Sequence, residues 1–345
     1  MYSRTRCFIN LPNRFCLFGS ALEASGKKGQ NLDKNEAGRH KERAQVGTRE
    51  RHRTAPGQFE GKRVVVSQVL SALLRALMVA ITVALPALLL PTIAPDMAEL
   101  VLIVAVLAAL LTFIEYYGRY PSIVAFRFAP PFNRLKFAAV ALSVVALSLI
   151  MRGKTDPNGL TQALTVFADG VGHVLDFPYS PVRLMLLVLP YGSDPAQVAD
   201  MRMVAGLCYA VSLAMVLVFV IHVRRFNWPM QRGTFNVWVN LPLFDPTSGG
   251  DVIERLRRDG GINILLGIVL PFFMPLAVRA LLDLSATISV IEPHALIWVM
   301  TAWAILPASL LMRGIALLRV ASLIAAKRRR VHLGRQEAGE ALGGG

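Results

Sequence analysis

The segment that decides the fold is Met203–His222, MVAGLCYAVSLAMVLVFVIH, which contains no Asp, Glu, Lys or Arg. A bilayer hydrocarbon core about 30 Å thick is crossed by a helix of about 20 apolar residues, so this run predicts a transmembrane helix. The composition agrees: the 345 residues are 54% hydrophobic and 17% charged, with a mean hydropathy of +0.50. Soluble domains carry about 25% charged residues. The chain is therefore neither an ordinary soluble protein nor disordered throughout.

Five further apolar runs reach or approach bilayer length. With Met203–His222 they predict six spans, at about 76–94, 100–116, 135–151, 203–222, 262–282 and 295–312. The second and third runs become long enough by including Tyr116, Tyr117 and Leu135, which suit the membrane interface. We therefore predict an all-α bundle of six membrane helices within residues 64–326, with an outer loop at 152–202 and an inner loop at 223–261.

The charged residues between the spans predict the orientation. The connection at 117–136 contains no acidic residue and four basic ones, Arg119, Arg127, Arg134 and Lys136. The short connections on the other side contain Asp96 and Glu99 in one case and Asp283 and Glu292 in the other. Because Lys and Arg accumulate in cytoplasmic loops, we expect both termini in the cytoplasm. A composition rich in Ala, Leu, Val and Arg favours a bacterial inner membrane.

The two ends of the chain carry much of its net charge of +15. Residues 1–63 contain 14 Lys and Arg against 6 Asp and Glu, with few large apolar side chains after Phe18, which predicts a disordered basic arm. An alternative is that translation starts later and this arm is not part of the protein. The basic tail at 327–345 begins with Lys327, Arg328, Arg329 and Arg330, which we expect to be attracted to anionic lipid. Neither end interleaves aromatic residues with its charges, so binding to nucleic acid is not expected.

The outer loop 152–202 contains two apolar patterns. Leu160, Leu164 and Phe167 begin a series at helical spacing, which predicts a helix in the outer membrane interface or, alternatively, one packed on other outer loops. The run Met185–Pro190 is too short to cross a bilayer and is interpreted as interfacial or re-entrant.

The inner loop 223–261 has the pattern of a small folded element. Thr234–Phe244 alternates as a half-buried strand does, Asp245–Gly250 is rich in turn residues, and a short helix is expected to end at Gly260–Gly261. So small an element must pack on the other inner loop, on the tail or on another protein. We expect contacts with other membrane subunits here.

Three features of the spans suggest specific roles. Gly206, Ala210 and Ala214 form a small-residue face suited to helix packing. Prolines are expected to break the first and fifth spans, whose two hairpins then resemble each other in pattern. The charged residues at the outer edge of the fifth span are four residues apart and can form an ion pair. These residues are Pro86, Pro91, Pro271 and Pro275 for the breaks, and Arg279 with Asp283 for the pair.

Motifs of the familiar enzyme classes are absent from the sequence, including GxSxG, HExxH, CxxC, GxGxxG and GxxxxGK. Cys7, Cys16 and Cys208 have no metal-binding spacing, and we expect no metal or cofactor. The leading hypothesis is a non-enzymatic inner-membrane subunit of a larger assembly, such as a secretion or DNA-transfer apparatus. One alternative is a secondary transporter or channel that uses the Pro-containing helices. Another is a membrane enzyme for a lipid-linked substrate, with His173, Asp169 and Arg183 in its outer loop.

Overall fold

A computed structural model describes residues 58–90, 95–118, 122–230, 240–242, 244, 250–284 and 292–343, with side chains outside 58–65, 95–97, 281–284 and 337–343. The chain divides into two compact units, Met1–Glu60 and Gly61–Gly345. Of the first unit, only the helical backbone of its last residues is described, so the predictions for the arm 1–63 lie almost wholly outside the described residues.

The described residues form eight helices and no strand. They are α1 (Gln58–Leu89), α2 (Pro95–Tyr117), α3 (Phe132–Gly153), α4 (Gly159–Leu175), α5 (Pro181–Leu186), α6 (Pro195–Arg225), α7 (Val252–Leu284) and α8 (Pro293–Gly343). Six of them, all except α4 and α5, are long and apolar enough to cross a membrane. For the residues that the structure describes, the prediction of an all-helical fold with six candidate spans is confirmed.

Several helices extend well beyond their apolar runs. α6 begins at Pro195, eight residues before Met203, and the Asp194 side chain caps it by accepting the N–H of Ala196 at 3.4 Å. α8 continues through the predicted basic tail to Gly343. Polar residues such as Lys, Arg and Gln are good helix formers, so a helix does not end where its apolar residues end. A hydropathy criterion therefore detects only the apolar part of such a helix.

The core of the bundle lies at two levels. The first cluster, at the end where α4 and α5 lie, contains side chains of α3, α6 and α8 together with Ala168 of α4 and Met185 of α5. The second cluster, at the opposite end, is built around residues 126–132, the C-terminal part of α6, the start of α7 and the middle of α8. It includes the fully buried Phe126, Trp228 and Leu256. The second cluster is where loop residues and spans meet.

The backbones of α7 and α8 approach each other closely where glycines lie between them. A Cβ atom at Gly267 would lie 2.8 Å from the carbonyl oxygen of Pro307, and one at Gly314 would lie 2.7 Å from that of Gly260. α7 runs without interruption from Val252 to Leu284, so Gly260 and Gly261 lie inside it. The prediction that they end a short helix is wrong. Glycine costs a helix about 1 kcal/mol relative to alanine, but here the close contact with α8 requires it.

The inner loop is described only in part. Residues 231–239, 243 and 245–249 lie outside the described residues, and most of the predicted strand and turn falls there. In the middle of the loop, the carbonyl oxygen of Asn240 accepts the N–H of Phe126 at 2.6 Å, and its Oδ1 accepts that of Phe128 at 3.2 Å. Leu241 and Phe244 are buried in the second cluster. This part of the loop packs on the chain's own 122–131 connection.

Candidate functional site

The connection from α2 to α3 folds back against the end of α2 through Arg127. Its Nη1 atom donates to the carbonyl oxygens of Glu115 at 2.5 Å and Gly118 at 2.7 Å, and its Nη2 atom donates to that of Tyr116. The last carbonyl groups of a helix lack partners within it and carry partial negative charge. One guanidinium therefore satisfies the end of α2 and fixes a positive charge there.

Glu115 makes the reciprocal set of contacts. Its carboxylate is buried and accepts the backbone N–H groups of Ser122 at 3.1 Å, Ile123 at 3.0 Å and Val124 at 3.3 Å, together with the hydroxyl of Ser122. These donors occupy the carboxylate, which is absent from the lining of the adjacent cavity. The negative charge is thus used to hold the connection.

A cavity of about 850 Å³ opens between α1, α2, this connection and the start of α3. Arg75, Arg127 and Arg134 line it, and no acidic side chain of the described chain does. The Cζ atom of Arg75 lies 4.6 Å from the centroid of the Tyr116 ring, and that of Arg127 lies 5.5 Å from it. Both guanidinium groups therefore lie within cation–π range of one aromatic ring.

Polar and apolar side chains share the rest of the lining. The polar residues include Gln68, Ser71, Thr112, Tyr116, Tyr117 and Asn133. The apolar residues include Met78, Val79, Val124, Phe126, Phe128 and Phe137. Burial lowers the pKa of Arg127, but its guanidinium keeps its charge because an arginine deprotonates only far above neutral pH. The arrangement is suited to holding an anion that carries an apolar group.

An aromatic cluster packs behind the wall of the cavity that Phe126 forms. The ring of Phe126 lies 4.8 Å from that of Phe132 and 5.4 Å from that of Trp228, which in turn lies 5.2 Å from that of Phe219. The indole N–H of Trp228 donates to the carbonyl oxygen of Ala129 at 3.2 Å. These contacts fix the connection that carries Arg127.

The predicted small-residue face of α6 is only partly used within the chain. Gly206 contacts α4 so closely that a Cβ atom on it would lie 2.4 Å from the Cα atom of Gly172. Ala210 is half-buried and Ala214 is exposed. Gly172 and Ala168 direct a small-residue face of α4 at the bundle, while Leu160, Phe167 and Val174 point outward. α4 thus packs on α6 and leaves an apolar face uncovered.

The prolines lie inside continuous helices. Pro86 is within α1, Pro271 and Pro275 are within α7, and Pro91 lies outside the described residues. Pro275 has no N–H group, so the carbonyl oxygen of residue 271 loses its helical partner. The indole N–H of Trp303 on α8 donates to that oxygen at 3.1 Å. This contact gives the freed oxygen a new partner and joins α7 to α8 at this point.

The remaining predicted residues lie apart from the cavity. Arg279 donates from Nη1 to the carbonyl oxygen of Leu189 at 2.8 Å and lies 5.6 Å from the Tyr191 ring centroid. The side chain of Asp283 lies outside the described residues, so their ion pair stays a prediction. The basic cluster Lys327, Arg328, Arg329 and Arg330 is exposed on α8, and Arg328 pairs with Asp251 at 2.7 Å.

The outer-loop residues of the enzyme hypothesis form two separate pairs. His173 lies 3.4 Å from Asp169 within α4, whereas Arg183 lies 2.5 Å from Asp176. In the part of the chain that the structure describes, no group of three His, Cys, Asp or Glu residues could hold a metal ion. The sequence does not predict the site at the end of α2, because Arg127 and Arg134 already have an explanation there as signals of orientation.

The sequence does contain a signal for the close contact between α7 and α8. Gly260 and Gly267 are seven residues apart on one helical face, a spacing that permits close packing. The cavity has no comparable local signal, because its arginines come from α1, the connection and α3.

Neither a known protein family, nor a curated protein, nor a solved structure matches this chain.

Proposed function

We propose that this multi-pass membrane protein is a non-enzymatic integral subunit of a larger assembly in a bacterial inner membrane, of the secretion or DNA-transfer type. The observation that carries the proposal is the low burial of α1 and α2. Of the most apolar window of each span, 6% is buried in α2 and 17% in α1, against 44% in α3 and α6 and 56% in α8. The α1–α2 hairpin is the part of the bundle that the chain covers least.

Packing explains why this burial matters. Helices in a bilayer gain little from the hydrophobic effect when they associate, so packing and hydrogen bonds hold them together. α7 also has only 17% of its window buried, but its glycines bring it into close contact with α8. Along α2, Leu102, Ile103 and Val106 are each at least 60% exposed. We infer that a transmembrane helix of another subunit packs on this hairpin.

The proposed partner surface differs from the one expected in the sequence. The middle of loop 223–261, where it is described, contacts the chain's own connection through Asn240, Leu241 and Phe244. The α1–α2 hairpin is therefore the stronger candidate for contact with a partner.

The proposed orientation places both termini, and the end of the bundle that contains residues 122–131, in the cytoplasm. It is supported by the basic connection 117–136 and by Lys327–Arg330, since such residues accumulate on the cytoplasmic side. A fluorescent protein that matures only in the cytoplasm, fused after Gly345, tests it. Fluorescence supports the orientation, and a dark but full-length fusion refutes it.

Photo-cross-linking in intact cells tests the subunit proposal. A photoreactive amino acid is placed at Ile103 or Val106 of α2 and, as a matched control, at Leu217 of α6, which is also 60% exposed. We expect both α2 positions to yield one adduct with the same membrane protein and Leu217 to yield none. That protein should also co-purify in mild detergent and decrease when this chain is deleted. A protein that purifies alone, with no adduct specific to α2, would contradict the proposal.

A further inference from the structure

We propose that the cavity bounded by α1, α2 and residues 122–134 binds an anionic phospholipid, with Arg75 and Arg134 contacting its phosphate group. The proposal concerns a ligand and stands independently of the proposed partner subunit. It rests on the charge of the cavity, the state of each arginine, and the apolar part of its wall.

The charge balance of the cavity is the first argument. Three arginines and no acidic residue line it in the described chain, and the nearest carboxylate, Glu115, is occupied by the N–H groups of residues 122–124. Like charges gathered in a partly enclosed space repel one another unless an anion joins them. Hydrogen bonds from neutral N–H groups leave the charge of Glu115 in place, so it offsets part of the charge of Arg127. The three arginines still give the cavity an excess of positive charge that an anionic ligand would balance.

The three arginines differ in what they already contact. Arg127 donates three hydrogen bonds to carbonyl oxygens at the end of α2, so its positive charge is held in a fixed position. Arg75 places its guanidinium over the Tyr116 ring, a contact that leaves its N–H edges available. Arg134 is exposed and makes no hydrogen bond or ion pair with the described residues. Arg75 and Arg134 can thus bind phosphate oxygens in the bidentate geometry that guanidinium groups favour.

The apolar wall indicates that the ligand also carries a hydrocarbon chain. Met78 and Val79 lie on the span of α1, and Phe137 lies one turn into α3. Exposed apolar residues of α1, such as Leu74 and Leu77, continue this surface toward the bilayer. A volume of about 850 Å³ exceeds the need of an inorganic anion and falls within the range of pockets for drug-sized ligands, which suits a headgroup and part of a hydrocarbon chain. Basic pockets between membrane helices are known to receive phosphate headgroups of lipids.

Native mass spectrometry of the full-length protein, purified in detergent, tests the proposal with defined probes. The probes are a diacyl phosphatidylglycerol, a cardiolipin, the zwitterionic phosphatidylcholine, oleate and inorganic phosphate. The variants are Arg75→Gln, Arg134→Gln and their combination. The control is Arg224→Gln, which removes an exposed arginine at the same end of the bundle but outside the cavity.

We expect wild type and Arg224→Gln to retain phosphatidylglycerol or cardiolipin at least tenfold better than phosphatidylcholine or oleate. Each cavity variant should weaken this binding by about tenfold, since a charge-assisted hydrogen bond accounts for about that factor. Equal retention in all variants would indicate ordinary surrounding lipid and overturn the proposal. Tight binding of inorganic phosphate, unimproved by a lipid chain, would indicate a soluble phosphate ligand and also overturn it. Thermal unfolding of each variant checks that lost binding is not lost folding.

Discussion

The contact between α4 and α6 gives the most direct prediction of stability. A Cβ atom at Gly172 would lie 2.9 Å from the carbonyl oxygen of Arg202 and 3.0 Å from the Cα atom of Met203, both of which are backbone atoms. Comfortable contacts between carbon atoms are about 3.5–4.0 Å, so Gly172→Ala requires α4 to move away from α6 by several tenths of an ångström or more. Forcing extra atoms into such a contact costs about 1–3 kcal/mol.

Gly170→Ala is the matched control, because it lies on the same helix and a Cβ atom there would have nothing within 4 Å. Both substitutions gain the helix propensity of alanine over glycine, about 1 kcal/mol. Since this gain is common to the two variants, their difference in free energy of unfolding isolates the clash. We expect Gly170→Ala to be at least as stable as wild type and Gly172→Ala to be about 1–3 kcal/mol less stable than Gly170→Ala.

The buried thiol of Cys208 provides the assay. Cys208 is fully buried, so a maleimide dye that fluoresces on reaction reports its exposure as the protein unfolds. Cys7→Ser and Cys16→Ser remove the other two thiols of the chain. Melting is then followed in detergent for both glycine variants. Equal melting temperatures for Gly170→Ala and Gly172→Ala would refute the close approach of α4 to α6.

Three further predictions concern hydrogen bonds and charge. Trp303→Phe removes the donor to the Pro271 carbonyl oxygen and should cost about 0.6–1.7 kcal/mol of unfolding free energy. Pro275→Ala restores a helical donor to that oxygen, so the cost should shrink in its background; an unchanged cost would contradict the account. Arg127→Met should speed amide hydrogen exchange over residues 116–124, whereas Arg134→Met, without hydrogen bonds in the described chain, should not; equal exchange in the two variants would refute the capping role. The Ile253 N–H and then Arg328 hold the pKa of Asp251 below its ordinary value. A spin label at His332→Cys should therefore stay immobile from neutral pH down to the pH at which an ordinary carboxyl group titrates. Its mobility should increase only in stronger acid, because Asp251 then becomes protonated and releases Arg328. With Asp251→Asn it should be mobile throughout, and a label insensitive to both changes would count against the contact.

The sequence predicts the spans of this protein far better than their contacts. Runs such as Met203–His222 are continuous in the sequence, and the bilayer alone determines their meaning. The sequence does not predict the limits of α8, because Lys, Arg and Gln extend a helix without lengthening its apolar run. α7 continues through Gly260 where that residue packs against α8. A pattern read from the residues around Gly260 contains no information about this distant helix.

The candidate site was the least predictable part. Arg127 lies in a loop in which basic residues already have a sufficient explanation in membrane orientation. Its partners are carbonyl oxygens of Glu115, Tyr116 and Gly118, which every residue possesses and which give no signal in side-chain patterns. Arg75 joins the same cavity from another helix. Only the folding back of the α2–α3 connection brings these groups together.

The length of α8 has a consequence for its basic cluster. At 1.5 Å per residue, the helix Pro293–Gly343 is about 76 Å long, while the hydrocarbon core is about 30 Å thick. If Pro293 lies at one boundary of that core, the other is reached near Met312, and Lys327 follows about 22 Å further along the axis. This exceeds the screening length of about 8 Å in physiological salt even after the headgroup layer is subtracted. An upright α8 is thus a spacer that holds four positive charges at a set height above the membrane, and its tilt determines whether they meet lipid or a protein above it.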